Sequence, residues 1–234
     1  VQLFYDPDIR PGLFELREVE ARHATQVLRK RVGDELDLVN GRGSWFKAQI
    51  VDLGKKRCTL EVESPYRQAP RANHRLSLYV APTKNIDRFE WILEKATEIG
   101  VDDIFPILTE NSERSRLRPD RLERVLESAM KQSLRAWLPV LHPLIPLSEV
   151  LTELRETQRG YFAYLGDRQV PLLRDTYPGG HDVRVVIGPE GGFSPTEAQM
   201  ASSRGYQWVS LGPNRLRTET AAITAVLSIE QMNW

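Results

Sequence analysis

The chain has 234 residues, 41% of them apolar and 27% charged, which excludes collagen-like and disordered chains and leaves room for one large domain or two modest ones. Lysine plus arginine and aspartate plus glutamate number 32 each, so the net charge is zero and points to no partner until it is divided by segment. A single cysteine, Cys58, and four scattered histidines offer neither an internal disulfide nor a metal-ligand spacing. No apolar run approaches the roughly 18 residues of a membrane span, and the opening segment from Val1 to Asp6 lacks the pattern of a secretory leader. The expectation is a cytoplasmic protein with no membrane partner and no metal.

In chain order, residues 19–28 read as a helix and Glu35–Val39 as a strand with Leu36 and Leu38 on one face. Asn40-Gly41 supplies a tight turn because both residues tolerate positive φ. Residues 45–53 and Cys58–Val62 are strands by alternation and by β-branched or aromatic content. Residues 1–70 thus form a small β-rich domain with one early helix. Two prolines and few core-forming residues mark 64–73 as the linker. The basic groups Arg22, Arg29, Lys30 and Arg31, followed by Lys55-Lys56-Arg57, suit phosphate contacts or a solvated face.

Beyond the linker the rhythm changes. Strands at 76–81 and 104–108 alternate with helices at 88–99 and 120–137; a helix at 148–157, strands at 161–165 and 183–187, a helix at 194–204, a strand at 208–211 and a helix at 218–232 follow. Alternation of this kind implies an α/β domain over 74–234, a mostly parallel sheet with helices on both faces. The run Arg114, Arg116, Arg118, Arg121 and Arg124 reads equally as a solvated face or an RNA contact. His23, mid-helix, reads as a core or capping histidine, and the five tryptophans read as core.

Two loops after C-terminal strands carry the chemistry. Gly188-Pro189-Glu190-Gly191-Gly192-Phe193 runs into Ser194-Pro195-Thr196-Glu197, where Ser194 fits an N-cap, Pro195 the first helical position and Glu197 a capping box. Three glycines let main chain approach a ligand closely, with a plain tight turn as the alternative. Gly212-Pro213-Asn214-Arg215-Leu216-Arg217 then enters the last helix at Thr218-Glu219-Thr220-Ala221-Ala222, whose small residues allow close packing against the helix start. Neither loop has the Walker A or G-x-G-x-x-G pattern, which disfavours the phosphate cradles of nucleotide hydrolases and dehydrogenases.

The stretches Ile187 to Ser194 and Leu211 to Ala221 closely resemble the signatures of the ribosomal RNA small-subunit uridine N3-methyltransferases, a family of knotted S-adenosylmethionine-dependent RNA methyltransferases. The resemblance extends over nearly the whole chain. His23 to Arg29 with Val32 to Asp34 is similar to the family's N-terminal RNA-binding barrel, Lys84 with Glu94 to Val101 to its first catalytic-domain helix, and Lys131 to Arg135 through Pro139 to a further segment from which Lys131 and Ala136 depart. It implies a small PUA-like β-barrel followed by an α/β domain with a C-terminal trefoil knot, an exception to the rule against threaded chains. It further implies a homodimer, S-adenosyl-L-methionine as cofactor, and small-subunit (16S) ribosomal RNA or the small ribosomal subunit as substrate.

Carried onto this chain, the resemblance makes Leu165, Gly166, Ile187, Gly188, Pro189, Glu190, Gly191, Gly192, Leu211, Gly212, Leu216, Thr218, Thr220 and Ala221 the expected cofactor contacts. Arg10, Arg22, Arg29, Arg31 and Lys84 are the expected RNA contacts. A uridine imide becomes nucleophilic only as its N3 proton leaves, so Arg217, with Arg215 second, is expected to stabilise charge on the flanking carbonyls. Glu219 is expected either to take the proton or to fix an arginine or a backbone N–H. The rival readings are a knotted methyltransferase of transfer RNA and a non-catalytic RNA-binding ribosome-assembly protein.

Overall fold

In residues 46–50 and 58–62 every second side chain is buried, and that alternation builds the first sheet. The computed structural model describes residues 2–54, 56–152, 154–164 and 170–234. The strands of the first unit are β1 (Leu3–Tyr5), β2 (Gly12–Glu15), β3 (Glu35–Val39), β4 (Ser44–Leu53), β5 (Cys58–Val62) and β6 (Arg67–Gln68). They pair in the order β1-β3-β4-β5-β2, with β6 on β4 and only the β1–β3 pair parallel. Phe4, Leu38, Phe46, Ile50 and Leu60 form its core with Ala21 and Ala24 of the early helical segment. Burial there pushes the Cys58 thiol up to about 11.

Several details differ from the sequence reading. The helix expected at 19–28 is α1 (Glu18–Arg22) followed by a π-helical turn over His23–Val27, in which the Leu28 N–H reaches the His23 carbonyl. The linker expected at 64–73 contains β6, whose Arg67 and Gln68 pair with Trp45 and Ser44. The helix expected at 120–137 is α3 (Pro119–Gln132); Ser133 turns its hydroxyl back onto the Ala129 carbonyl, and Leu134 takes φ 55. By compactness the first unit is Val1–Arg71 together with Glu127–Leu138, and the second is Ala72–Leu126 with Pro139–Trp234. The returning segment has a physical reason: Met130 and Ala136 pack with Leu3, Tyr5, Val39 and Trp45, and Lys131 pairs at 2.5 Å with Glu20, which is only 1% exposed.

The second unit continues with β7 (Leu76–Val80), α2 (Ile86–Ile99), β8 (Asp103–Leu108), β9 (Val140–Leu141), β10 (Ile145–Pro146), α4 (Leu147–Val150) and β11 (Gln158–Ala163). It ends with α5 (Leu173–Thr176), β12 (Asp182–Ile187), α6 (Pro195–Ser203), β13 (Gln207–Val209) and α7 (Thr218–Gln231). Its strands are ordered β10-β8-β7-β12-β11-β13, with β9 on β8 and every pair parallel. Tyr79, Phe162 and Val186 bury against residues of α4 and α6, while α7 packs on β7, β12 and α2, so helices cover both faces. The helix expected at 148–157 is a single turn, because Val150, Leu151 and Leu154 are all drawn into this core and the Thr152 hydroxyl is taken by Arg184.

At the amino-terminal end of β8, Asp103 is held by Arg75 and, at 3.0 Å, by His142. Burial pushes its carboxyl up, but the hydrogen bonds and charges of those two partners outweigh it and leave the carboxyl below the usual carboxylate range. The knot is expected at the end of the 161–166 strand and at residues 188–193 and 211–221, and of these Leu165 and Gly166 lie outside the described residues. No described helix is long and apolar enough to cross a membrane.

Candidate functional site

The carboxyl ends of β11, β12 and β13 lie at one end of the parallel sheet, where main chain leaves its ladder. A cavity of about 570 Å³ opens there, lined by Ala163 and Tyr164 after β11, by the loop after β12 and by the segment that leads from β13 into α7. Of the expected cofactor contacts, Ile187, Gly188, Pro189, Glu190, Gly192, Leu211, Gly212, Leu216, Thr218 and Ala221 line it. Gly191 and Thr220 do not, and Leu165 and Gly166 lie outside the described residues. Ala163, Tyr164, Phe193, Val209 and Asn214 line the cavity without being among the contacts expected by residue. Their only signal was position, at or just beyond strand ends and inside the two loops.

The first loop is shaped from both ends. Ser194 accepts the Glu197 N–H and Glu197 accepts the Ser194 N–H, so the expected capping box forms and fixes where α6 begins. Within the loop Gly192 has φ 73, and its N–H bonds to the Pro189 carbonyl at 2.9 Å. A Cβ on Gly188 would stand 3.0 Å from the Phe193 ring. The second loop is tied to the first: the Thr218 hydroxyl donates to the Gly188 carbonyl at 3.1 Å, and Arg215 reaches the Glu190 carbonyl at 3.5 Å. The 14-residue α7 therefore directs its amino terminus, with its partial positive charge, at the cavity.

The charged candidates separate. Arg215 and Arg217 line the cavity, and Arg217 is exposed with no ion pair among the described residues. Glu219 does not line it: one carboxylate oxygen faces Arg88 of α2 at 3.7 Å, and the other is buried without a hydrogen-bond partner among the described residues. In the first unit Arg22 pairs with Glu18, Lys56 also pairs with Glu18, and Arg57 pairs with Asp52. Arg10 lies over the Phe14 ring at 5.7 Å. Arg29, at φ 54, and Arg31 are exposed without ion pairs among the described residues, and Lys55 lies outside them. Lys84 pairs with Glu113 at 2.8 Å, which raises its pKa. His23 stacks obliquely on Phe4 within the first unit. No group of three possible metal ligands occurs among the described residues.

Comparison with known proteins bears on this geometry. Residues 70–230 match the family model of the RNA methyltransferase domain, and residues 16–63 match that of the RNA methyltransferase PUA domain. The ribosomal RNA small subunit methyltransferase E of Aquifex aeolicus is 30% identical over 233 residues, 97% of each chain. A probable rRNA-methyltransferase from Porphyromonas gingivalis superposes with a TM-score of 0.93 at 42% identity, over 100% of this chain and 98% of its own. A ribosomal RNA small subunit methyltransferase E from Neisseria gonorrhoeae, solved bound to S-adenosyl methionine, superposes with a TM-score of 0.87 at 28% identity, over 98% of this chain and 97% of its own.

Proposed function

This chain belongs to the family of small-subunit ribosomal RNA methyltransferases, and from that membership we propose that its acceptor is N3 of a uridine. The enzyme uses S-adenosylmethionine, acts on small-subunit ribosomal RNA and carries a PUA-type domain ahead of its methyltransferase domain. We place the reaction in the cytoplasm. The observation that carries the reading is the cavity itself, because its residues fit that cofactor. Tyr164, Ile187, Val209, Leu211 and Leu216 offer an apolar enclosure for a flat base, the glycine-bearing loops offer main chain, and the start of α7 suits a carboxylate. When bound, the cofactor supplies a methyl group already activated on a sulfonium centre.

What remains for the chain is the acceptor. Loss of the N3 proton spreads negative charge over the two flanking uridine carbonyls, and a guanidinium stabilises that charge without itself transferring a proton. Arg217 is free of ion pairs among the described residues and lines the cavity, so we assign it this task, with Arg215 second. Glu219 is assigned to positioning, since it is held toward Arg88 and away from the cavity lining.

Gly192→Val places a β-branched residue at φ 73, a conformation such residues avoid, although nothing stands within 4 Å of the added Cβ. The expected result is unchanged circular dichroism with S-adenosylmethionine binding lost in calorimetry; retained affinity removes this loop from the site. For Arg217→Ala we expect turnover to fall by about a hundredfold or more at near-normal cofactor affinity. Product analysis should place the methyl on N3, and a methyl on carbon 5 or on ribose refutes the chemistry.

RNA affinity is assigned chiefly to the first unit. Because Arg22, Lys56 and Arg57 are already paired with carboxylates, Arg29 and Arg31, with Arg10, are the better phosphate partners. Arg29→Ala and Arg31→Ala, each withdrawing one cation from one phosphate, should each lower the slope of log affinity against log salt by roughly 0.7 to 0.9, and an unchanged slope excludes that residue. We also propose a homodimer. Ile223 and Leu227 of α7 are only partly covered, and Trp91, Met232 and Trp234 are exposed in the same unit. Sedimentation should give twice the chain mass of 26.8 kDa; an active monomer at micromolar concentration contradicts it.

A further inference from the structure

We propose that residues 109–114, between β8 and α3, form a brace that sets the shape of the cofactor loop, with Asn111 and Arg114 as positioning residues. The proposal rests on reading the 570 Å³ cavity as the S-adenosylmethionine site.

By charge alone Arg114 opens a stripe that continues through Arg116, Arg118, Arg121 and Arg124, the pattern of a phosphate-facing surface. The structure divides that stripe. Arg121 is held by Glu90 and Asp87 of α2. Arg116 is exposed and makes no ion pair among the described residues. Arg114 is half-buried and turned inward: its Nε donates to the Thr83 carbonyl at 3.0 Å and a terminal nitrogen donates to the Lys84 carbonyl at 2.5 Å. Two carbonyls leaving the end of β7 are thus satisfied by one planar fork, a geometry that a lysine does not reproduce.

From that point the hydrogen bonds lead into the cavity wall. The Lys84 N–H donates to the Glu190 carboxylate at 3.1 Å, and Glu190 lines the cavity. Asn111 acts more directly, since its amide donates to the carbonyls of Gly191 at 3.4 Å and Gly192 at 3.1 Å. Gly191 does not itself line the cavity, and its lack of a side chain has its reason here: a Cβ would stand 3.0 Å from that of Asn111. The Glu110 N–H adds a third anchor, donating at 2.9 Å to the same Glu197 carboxylate that caps α6. The brace is itself folded back, with the Ser112 hydroxyl accepting the Thr109 N–H.

Each of the glycines at 188, 191 and 192 loses more backbone entropy on ordering than a residue with a side chain would. Anchors at Glu197, at Gly191 and Gly192, and through Thr83 and Lys84 at Glu190 hold it where its glycines have no side chains to do so. Preorganisation of that kind strengthens ligand binding without touching the ligand. Arg114 and Asn111 accordingly govern cofactor affinity, although neither lines the cavity.

The test is calorimetric titration of the full-length protein with S-adenosylmethionine, beside thermal melting without ligand and binding of a ribosomal RNA fragment. The unsubstituted protein is measured first; if it does not bind S-adenosylmethionine, the assignment of the cavity falls and the brace falls with it. If it binds, Arg114→Ala should weaken S-adenosylmethionine by roughly tenfold or more, as expected when charged hydrogen bonds are removed. Millimolar guanidinium should restore that affinity, whereas Arg114→Lys should not. Asn111→Asp, which turns a donor into a charge facing two carbonyls, should weaken binding at least as much. Arg116→Ala should leave cofactor affinity unchanged. The brace is overturned, with the cavity assignment intact, if Arg114→Ala and Asn111→Asp bind the cofactor normally, if Arg114→Ala reduces only RNA affinity, or if guanidinium fails to rescue a folded Arg114→Ala protein.

Discussion

The second unit is governed by what happens to main chain when a parallel sheet ends. Inside the ladder peptide groups pair across neighbouring strands, but beyond Val80, Leu108, Ala163, Ile187 and Val209 the N–H and carbonyl groups must find other partners or bind a ligand. The chain answers in two ways. Some groups are satisfied internally, as when Thr218 takes the Gly188 carbonyl and Arg114 takes those of Thr83 and Lys84. The others border a cavity whose loops place Gly188, Gly192 and Gly212 among its lining residues.

Charge counting misjudges such a molecule because ion pairs consume the ions. The first unit's basic clusters look continuous in sequence, yet Arg22, Lys56 and Arg57 face Glu18 and Asp52. Exposed pairs of this type contribute little to stability, but they reduce the positive charge presented to a phosphate. Lys131 illustrates the opposite case, a cation required by the interior. Glu20 is nearly inaccessible, one of its oxygens has no hydrogen-bond partner among the described residues, and removing Lys131 would leave a buried carboxylate uncompensated. A position that departs from the family resemblance is therefore explained by a need internal to this chain.

Much of the fold was legible because local and tertiary preferences agree. Glu35–Val39 and Cys58–Val62 form strands at the expected residues, and Ser194 with Glu197 caps α6 as expected. Legibility failed where tertiary demand overrode periodicity. Residues 148–157 have helical spacing, but past the single turn of α4 Leu151 is buried and Leu154 partly buried against this core, and Thr152 is diverted to Arg184. The end of α3 was invisible because Leu134 is not a residue expected at φ 55. At the site, glycine spacing and the small residues entering α7 located the loops but not the direction of each residue. Helical geometry explains why Thr218 and Ala221 line the cavity, three positions apart, while Glu219 and Thr220 between them do not.

The same geometry weighs on the choice between an enzyme and a binding module. A module that held RNA with basic side chains would gain nothing from a largely apolar cavity bordered by two glycine-bearing loops, one of which turns through a φ of 73 that glycine adopts without strain. Such a loop is intelligible when main chain must approach a small ligand. Arg217 strengthens the point: it is an exposed arginine without an ion pair among the described residues, and it lies on the lining of that cavity rather than on the paired basic face of the first unit. A cation left unpaired beside an apolar enclosure serves a transient negative charge better than it serves packing.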